Sequence, residues 1–146
     1  MRNIPLPMIE LIKKFEGLRL KAYLDPAGVL TIGYGHTGSD VYADMYITPQ
    51  QADDLLMQDA AKSLDSLFAV SPTVESAGEN RISAIGDFVF NLGIGNYNKS
   101  TFKKCVDTQD WMNASQECKR WVHAGGKVLK GLVARREVEA ELLLKD

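Results

Sequence analysis

This 146-residue chain has no long uninterrupted apolar run and no excess of either charge. With 17 Lys and Arg against 19 Asp and Glu, the net charge is -2, so no basic surplus marks nucleic acid as a partner. Two cysteines, Cys105 and Cys118, are too few for a disulfide scaffold and lack the paired short spacings of a zinc site. Both read as buried thiols, and neither a metal nor an organic cofactor is expected. The opening stretch MRNIPLPMIELIKKF has a basic residue followed by apolar ones, yet Pro5, Pro7 and Glu10 break a run already too short for a signal sequence or membrane span. The expectation is a monomer with no membrane anchor, soluble in the cytoplasm where it is made. On that expectation, Asn98-Lys99-Ser100 and Asn113-Ala114-Ser115 match the glycosylation pattern by chance. Repeats and low-complexity linkers are also missing.

What is present suffices for one domain with a real core, or two small lobes sharing a helix, since 45% of residues are hydrophobic. Met8, Leu11, Ile12 and Phe15 recur at helical spacing, and Gly17 follows as a left-handed stop, predicting a helix over 7–16. The segment LRLKAYL, the turn Asp25-Pro26-Ala27-Gly28 and VLTIGY read as a β-hairpin closed by a type I turn. Thr48-Pro49-Gln50-Gln51 is a well-specified helix start, with a capping Thr, Pro at the first helical position and Gln three residues after the cap. The apolar spacing continues that helix over about 49–69. The remainder reads as helical throughout: 82–92 with a stop at Gly93, a turn from Ser100 or Thr101 to Val106, a stretch from Trp111 to Gly125-Gly126, and a last helix over about 132–144. The fold class is therefore α+β, with a small β lobe (about 17–48) inserted in a mostly helical chain (1–16 plus about 70–146).

Two readings compete for TIGYGHTG, residues 31–38. Gly33, Gly35 and Gly38 have the spacing G-x-G-x-x-G, but no helix opens directly after Gly38 and no βαβ unit surrounds the motif, so a dinucleotide site is excluded. Glycines at alternate positions instead fit a strand whose backbone is closely approached, by a ligand or another chain segment, with the third glycine a coincidence. Beside this motif stand Glu16 at a helix end, Asp25 in a turn and Thr31 on the returning strand. Two carboxylates and a hydroxyl facing one cleft are the equipment of glycoside hydrolysis. Glu16, beside Phe15 and other apolar residues, is expected to be lifted from about 4.3 toward roughly 6 by desolvation, as a carboxylic general acid requires. Asp25, on a polar turn, is expected to stay ionised.

The run Glu16-Gly17-Leu18-Arg19-Leu20-Lys21-Ala22-Tyr23, then Asp25, then Thr31-Ile32-Gly33-Tyr34-Gly35-His36-Thr37 resembles the phage-type lysozymes, the endolysins, in its spacing of Glu, eight residues, Asp, five residues, Thr. Phe90-Asn91-Leu92-Gly93, Ser100-Thr101-Phe102, Trp121 and GGKVLKGLVARREVE extend the resemblance over nearly the whole chain. It implies a lysozyme-like fold and a muramidase that cuts the β-1,4 bond between N-acetylmuramic acid and N-acetylglucosamine in bacterial peptidoglycan. Glu16 is then the general acid, and Asp25 and Thr31 hold or activate the attacking water, with inversion at the anomeric carbon. An inverting site needs about 6.5–9.5 Å between its carboxyls. Gly33 and Gly35 would let the strand lie close under a glycan chain, with Gly35 and Thr37 as candidate substrate contacts. Phe90 and Asn91 are candidates to line the cleft, Asn91 through an acetamido group, with core packing the alternative for Phe90. Thr101 is a sugar contact or simply a helix cap.

His36 reads as a structural histidine paired with a carboxylate. Trp111 and Trp121 read as core packing. Lys127, Lys130, Arg135 and Arg136 read as a solvated, partly structural basic face, with Arg136 and Glu139 at i, i+3 spacing able to pair. One departure from the family is VESAGENRISAIGDF, where an Asn/Gln-rich approach is common; Gly86 inside the helical run leaves the helix boundaries there open. The resemblance further implies lysis of the host late in phage infection, with a holin opening the route to the periplasm and wall. Two other functions use the same fold. A lytic transglycosylase needs a single acid/base carboxylate, so the retained Asp25 and Thr31 argue against it; a non-catalytic wall-binding or virion module has no use for the acid at Glu16.

Overall fold

The structure, a computed structural model, describes residues 2–145. Helix α1 spans Leu6–Glu16 and is followed by strands β1 (Arg19–Leu24), β2 (Leu30–Gly33) and β3 (His36–Thr37). The three strands form one antiparallel sheet in the order β1-β2-β3, with Tyr23 opposite Thr31 and Thr31 opposite Thr37. The short β3, which the sequence reading did not foresee, places Thr37 beside Thr31. In the predicted hairpin turn, the Gly28 N–H donates to the Asp25 carbonyl at 2.9 Å.

Helix α2, Pro49–Val70, is the predicted long helix. Its capping box is complete: the Gln51 N–H donates to the Thr48 hydroxyl at 3.1 Å, and the Thr48 N–H donates to Gln51 Oε1 at 2.8 Å. Along its length α2 serves two cores. Ala52 packs with Ile32, Val41 and Ile47 beneath the sheet, whereas Leu56, Leu64 and Leu67 join the larger cluster of the helices.

At the centre of that larger cluster lies α3, Glu79–Leu92, in which the seven consecutive residues from Ser83 to Val89 are all buried. A helix buried on every side is surrounded rather than laid on a surface. Its predicted start at residue 82 is three residues late. Gly86 explains itself here, because a Cβ at this position would lie 2.7 Å from Met8 Sδ and 3.0 Å from Leu64 Cδ2. Only a hydrogen lets α1 and α2 close on α3 at this point. Phe88 packs against Phe102, Trp121 and Tyr97 with ring centroids at 4.6, 5.7 and 6.2 Å; burying such a ring is worth about 1.5–3 kcal/mol.

Short helices α4 (Ile94–Asn98), α5 (Thr101–Asp107) and α6 (Trp111–Cys118) follow, and α7 (Lys130–Leu143) packs back on α3. One open reading is settled here and one expectation corrected. Of the two candidate caps, Ser100 caps α5, its hydroxyl accepting the Lys103 N–H at 3.0 Å. The helix from Trp111 stops at Cys118, and Gly125-Gly126 form the turn of a hairpin between β4 (His123–Ala124) and β5 (Lys127–Val128). Both glycines have positive φ, 59° and 78°, which a two-residue hairpin turn demands and a helix stop does not. Trp111 and Trp121 pack against the core as expected.

Candidate active site

Glu16 ends α1, where the helix dipole disfavours a carboxylate. A cation offsets that cost: Arg135 of α7 donates through Nη1 to Glu16 Oε2 at 2.8 Å. The apolar surroundings expected for Glu16 are thus corrected on one side, where a guanidinium meets the carboxylate. On another side the β2–β3 turn presses close. A Cβ at Gly35 would lie 2.6 Å from Glu16 Oε1, and Gly35 has φ +80°. The close approach predicted for this glycine is real, and the group that approaches is the side chain of Glu16. Gly38, read as a coincidence, also has a positive φ, 139°.

Asp25 and Thr31 are fastened to one residue between them. Asp25 Oδ1 accepts the N–H groups of Ala27 and Val29, both at 2.9 Å, and the Thr31 hydroxyl donates to the Val29 carbonyl at 2.9 Å. The turn therefore fixes the carboxylate and the hydroxyl relative to each other, with Thr31 buried and Thr37 exposed beside it. His36 is held between two carboxylates, Nδ1 2.7 Å from Asp59 and Nε2 3.0 Å from Asp40. Burial works against its protonation, but the hydrogen bonds to Asp59 and Asp40 outweigh that and hold it above the ordinary histidine value. It pins β3 to α2, as a structural histidine does.

Of the four residues expected to form a basic face, Lys127 and Lys130 are exposed, but Arg135 and Arg136 are not. These two side chains are 3% and 0% exposed and lie inside the protein. Arg135 forks onto Asp87 of α3, Nε to Oδ2 at 2.9 Å and Nη2 to Oδ1 at 2.7 Å, while its third nitrogen reaches Glu16. Arg136 pairs with Glu139 as its spacing allowed, Nη2 to Oε2 at 2.9 Å, and donates to Asn91 Oδ1 at 2.8 Å. Asn91 is thus tied to the arginine that neighbours Arg135. Phe90 is half-buried and packs against the core. Thr101 stands apart, lining a groove of about 810 Å³ with Leu92, Arg120, Trp121 and His123.

Asp87 escaped the sequence reading, and so did the inward turn of the two arginines. One signal was available for Arg136 and Glu139: with Ala140 and Leu143 they fall at the i, i+3, i+4, i+7 positions of a buried helix face, charged residues where apolar ones belong. Cys118 is buried as expected, its thiol pushed well up by burial, whereas Cys105 is only half-buried. No group of three His, Cys, Asp or Glu able to hold a metal occurs among the described residues.

The sequence pattern of the phage lysozyme family matches residues 13–139. An endolysin of Bacillus phage B103 is 38% identical over 147 residues, covering 97% of this chain and 54% of its own length. A SAR-endolysin of Bacteriophage PS34 is 38% identical over 130 residues, covering 88% of this chain and 76% of its own. Among solved structures, the muramidase domain of SpmX from Asticaccaulis excentricus matches with a TM-score of 0.84 and 30% identity over 100% of both chains. The chain accordingly spans about half the length of the Bacillus phage relative, which is covered to 54%.

Proposed function

The chain belongs to the phage lysozyme family and has its lysozyme-like α+β fold, and on that premise we propose that it is a peptidoglycan hydrolase, a muramidase cutting the β-1,4 bond between N-acetylmuramic acid and N-acetylglucosamine. One observation carries the reading: Glu16 is clasped between Gly35 and Arg135, next to the sheet that carries Asp25 and Thr31. Glu16 gives its proton to the leaving glycosidic oxygen, and the Arg135 guanidinium holds the carboxylate left behind. Asp25 and Thr31, tied to Val29, hold and activate the water that attacks from the opposite face, with inversion. Gly35 and Thr37 from the sheet and Phe90, Asn91 and Thr101 from the helices line the path of the glycan. No cofactor is implied, because two carboxylates and a water complete the reaction.

The same reading makes residues 1–146 one catalytic unit: a small lobe about 17–48, a connecting helix about 49–69 and a helical lobe formed by the rest, acting as a monomer. Relatives named endolysins support a role in host lysis at the end of phage infection. Among the described residues no helix is long and apolar enough to cross a membrane. On the reading as a lysis enzyme, we place the protein in the host cytoplasm until a holin lets it reach the periplasm and wall.

The test is digestion of purified peptidoglycan with mass spectrometry of the soluble fragments. Reducing N-acetylmuramic acid ends are expected, with Glu16→Gln slowing their release by about 100-fold to 10,000-fold. Fragments with 1,6-anhydro ends would make the enzyme a transglycosylase; undiminished release by Glu16→Gln would remove Glu16 from the mechanism, and binding without fragments would leave a wall-binding module.

A further inference from the structure

Asn91 lies near the C-terminal end of α3, four residues after Asp87 and so on the same side of the helix, with about 5–6 Å between the two Cβ atoms. Asp87 holds the arginine that reaches Glu16, which places Asn91 one turn away from the groups around the acid. Its side chain is half-buried and makes one hydrogen bond among the described residues, Oδ1 accepting from Arg136 Nη2 at 2.8 Å. No group of the protein meets the amide nitrogen, and that nitrogen is not buried. Which end of a side-chain amide is oxygen follows from its partners. A guanidinium has five N–H donors and no acceptor, so the oxygen must face Arg136 and the nitrogen must face away. Turning the amide over would set N–H against N–H. It would also take a bond from a fully buried cation whose Nε and Nη1 already lack a well-directed partner, a costly loss.

We propose that Arg136 fixes Asn91 as a contact that only donates, and that its outward amide N–H groups select the acetamido carbonyl of the glycan. This rests on the muramidase reading and deepens it by naming the atom that is recognised. An acetamido group offers one donor and one acceptor, and an asparagine free to turn could meet either. Asn91 meets only the carbonyl, which leaves the sugar N–H to another partner. Sugar hydroxyls both donate and accept, so they give a donating group no basis for discrimination, whereas the carbonyl oxygen accepts alone. Arg136 itself does not reach the glycan. It is 0% exposed, bonded to Glu139 on one side and 5.1 Å from the centre of the Phe88 ring on another. It is therefore a positioning residue that acts through Asn91.

Two measurements test this, and the first depends on no activity. Neutron diffraction from a deuterium-exchanged crystal is expected to show the Asn91 oxygen toward Arg136 and two deuterons on the outward nitrogen. A nitrogen facing Arg136, or an amide split between both orientations, overturns the positioning role. The second measurement compares initial rates of fragment release from intact peptidoglycan and from chemically N-deacetylated peptidoglycan. The unaltered protein is expected to favour the acetylated wall, and Asn91→Ala to lose about 3-fold to 10-fold of that preference, the range for one neutral hydrogen bond. Asn91→Asp keeps an oxygen for Arg136 but turns a second oxygen to the glycan. It is expected to lose the preference at least as far and, by attracting the freed ammonium groups, to favour the deacetylated wall. Because the ratio is taken within each variant, a general loss of activity or stability cancels. An unaltered protein without the preference, or an unchanged ratio in folded Asn91→Ala, overturns the carbonyl assignment; should that variant not fold, an unchanged ratio in Asn91→Asp overturns it equally. If the unaltered protein releases no fragments from either wall, the muramidase reading has failed and the carbonyl assignment falls with it, while the orientation set by Arg136 stands or falls on the diffraction result alone.

Discussion

The two sides of Glu16 are built on opposite principles. On the sheet side, Asp25 and Thr31 are held by bonds spanning only two to four residues, all made within one turn. On the helix side, Arg135 is held to Asp87 across 48 residues and to Glu16 across 119. The sheet side spends little of the hydrophobic core, resting on a cluster whose buried members are Ile32, Val41, Ile47 and Ala52, while the helix side is set into the large cluster around Phe88. The groups proposed to handle water sit on a locally determined turn, and the groups that manage charge sit where packing is dense and the effective dielectric low. Burial on the helix side makes each charge interact strongly with its neighbour, whereas the charges on the more exposed sheet side are screened by water.

This contrast can be attacked from either side. Phe88→Ala should have the largest effect, lowering the unfolding free energy by about 3–5 kcal/mol in urea denaturation, because it empties the packing on which the helix side depends. A loss below about 1 kcal/mol would mean that the helical cluster does not anchor the site. Gly35→Ala should act in the other direction, on rate more than on stability. The positive φ costs about 1–2 kcal/mol, and the new methyl displaces the Glu16 carboxylate, for which a rate loss of about 100-fold is expected. Full activity in that variant would show that the sheet does not position the acid. The smallest effect is the pH dependence contributed by His36. A histidine raised in the folded state by Asp59 and Asp40, against the opposing effect of burial, contributes stability that is fully present below its unfolded value of about 6.5 and is lost as the pH rises through the raised folded value. The urea midpoint is expected to fall as the pH rises above about 6.5, and His36→Gln should flatten that fall; an identical slope in the two proteins would remove His36 as its source.

What could be read in the sequence follows the same division. The capping box at Thr48 and Gln51, the Asp25 turn and the approach at Gly35 are short-range consequences of residue type, and each was legible. The ion cluster was legible only in part: the buried-face spacing in α7 points Arg136 and Glu139 inward, but nothing within α7 says the same of Arg135. Arg135 looks like a solvated residue until Asp87 is known to face it from α3. The hairpin at Gly125-Gly126 was missed for a related reason: glycine after an apolar face signals a helix end and a tight turn equally well, and only the positive φ of both residues separates the two. Gly86, which unsettled the helix boundaries, proved to mark a helix crossing.

The pairing of Glu16 with Arg135 also sets a clock on biosynthesis. Glu16 leaves the ribosome early, but its cation is encoded 119 residues later, a delay on the order of ten seconds at ordinary elongation rates. Until α7 docks, Asp87 has no guanidinium to meet and α3 lacks one of its walls, so Glu16 stands without its cation. Assembly of the proposed site and closure of the helical cluster are therefore one event, and a polypeptide arrested before α7 is synthesised carries Glu16, Asp25 and Thr31 together but lacks the guanidinium that meets Glu16.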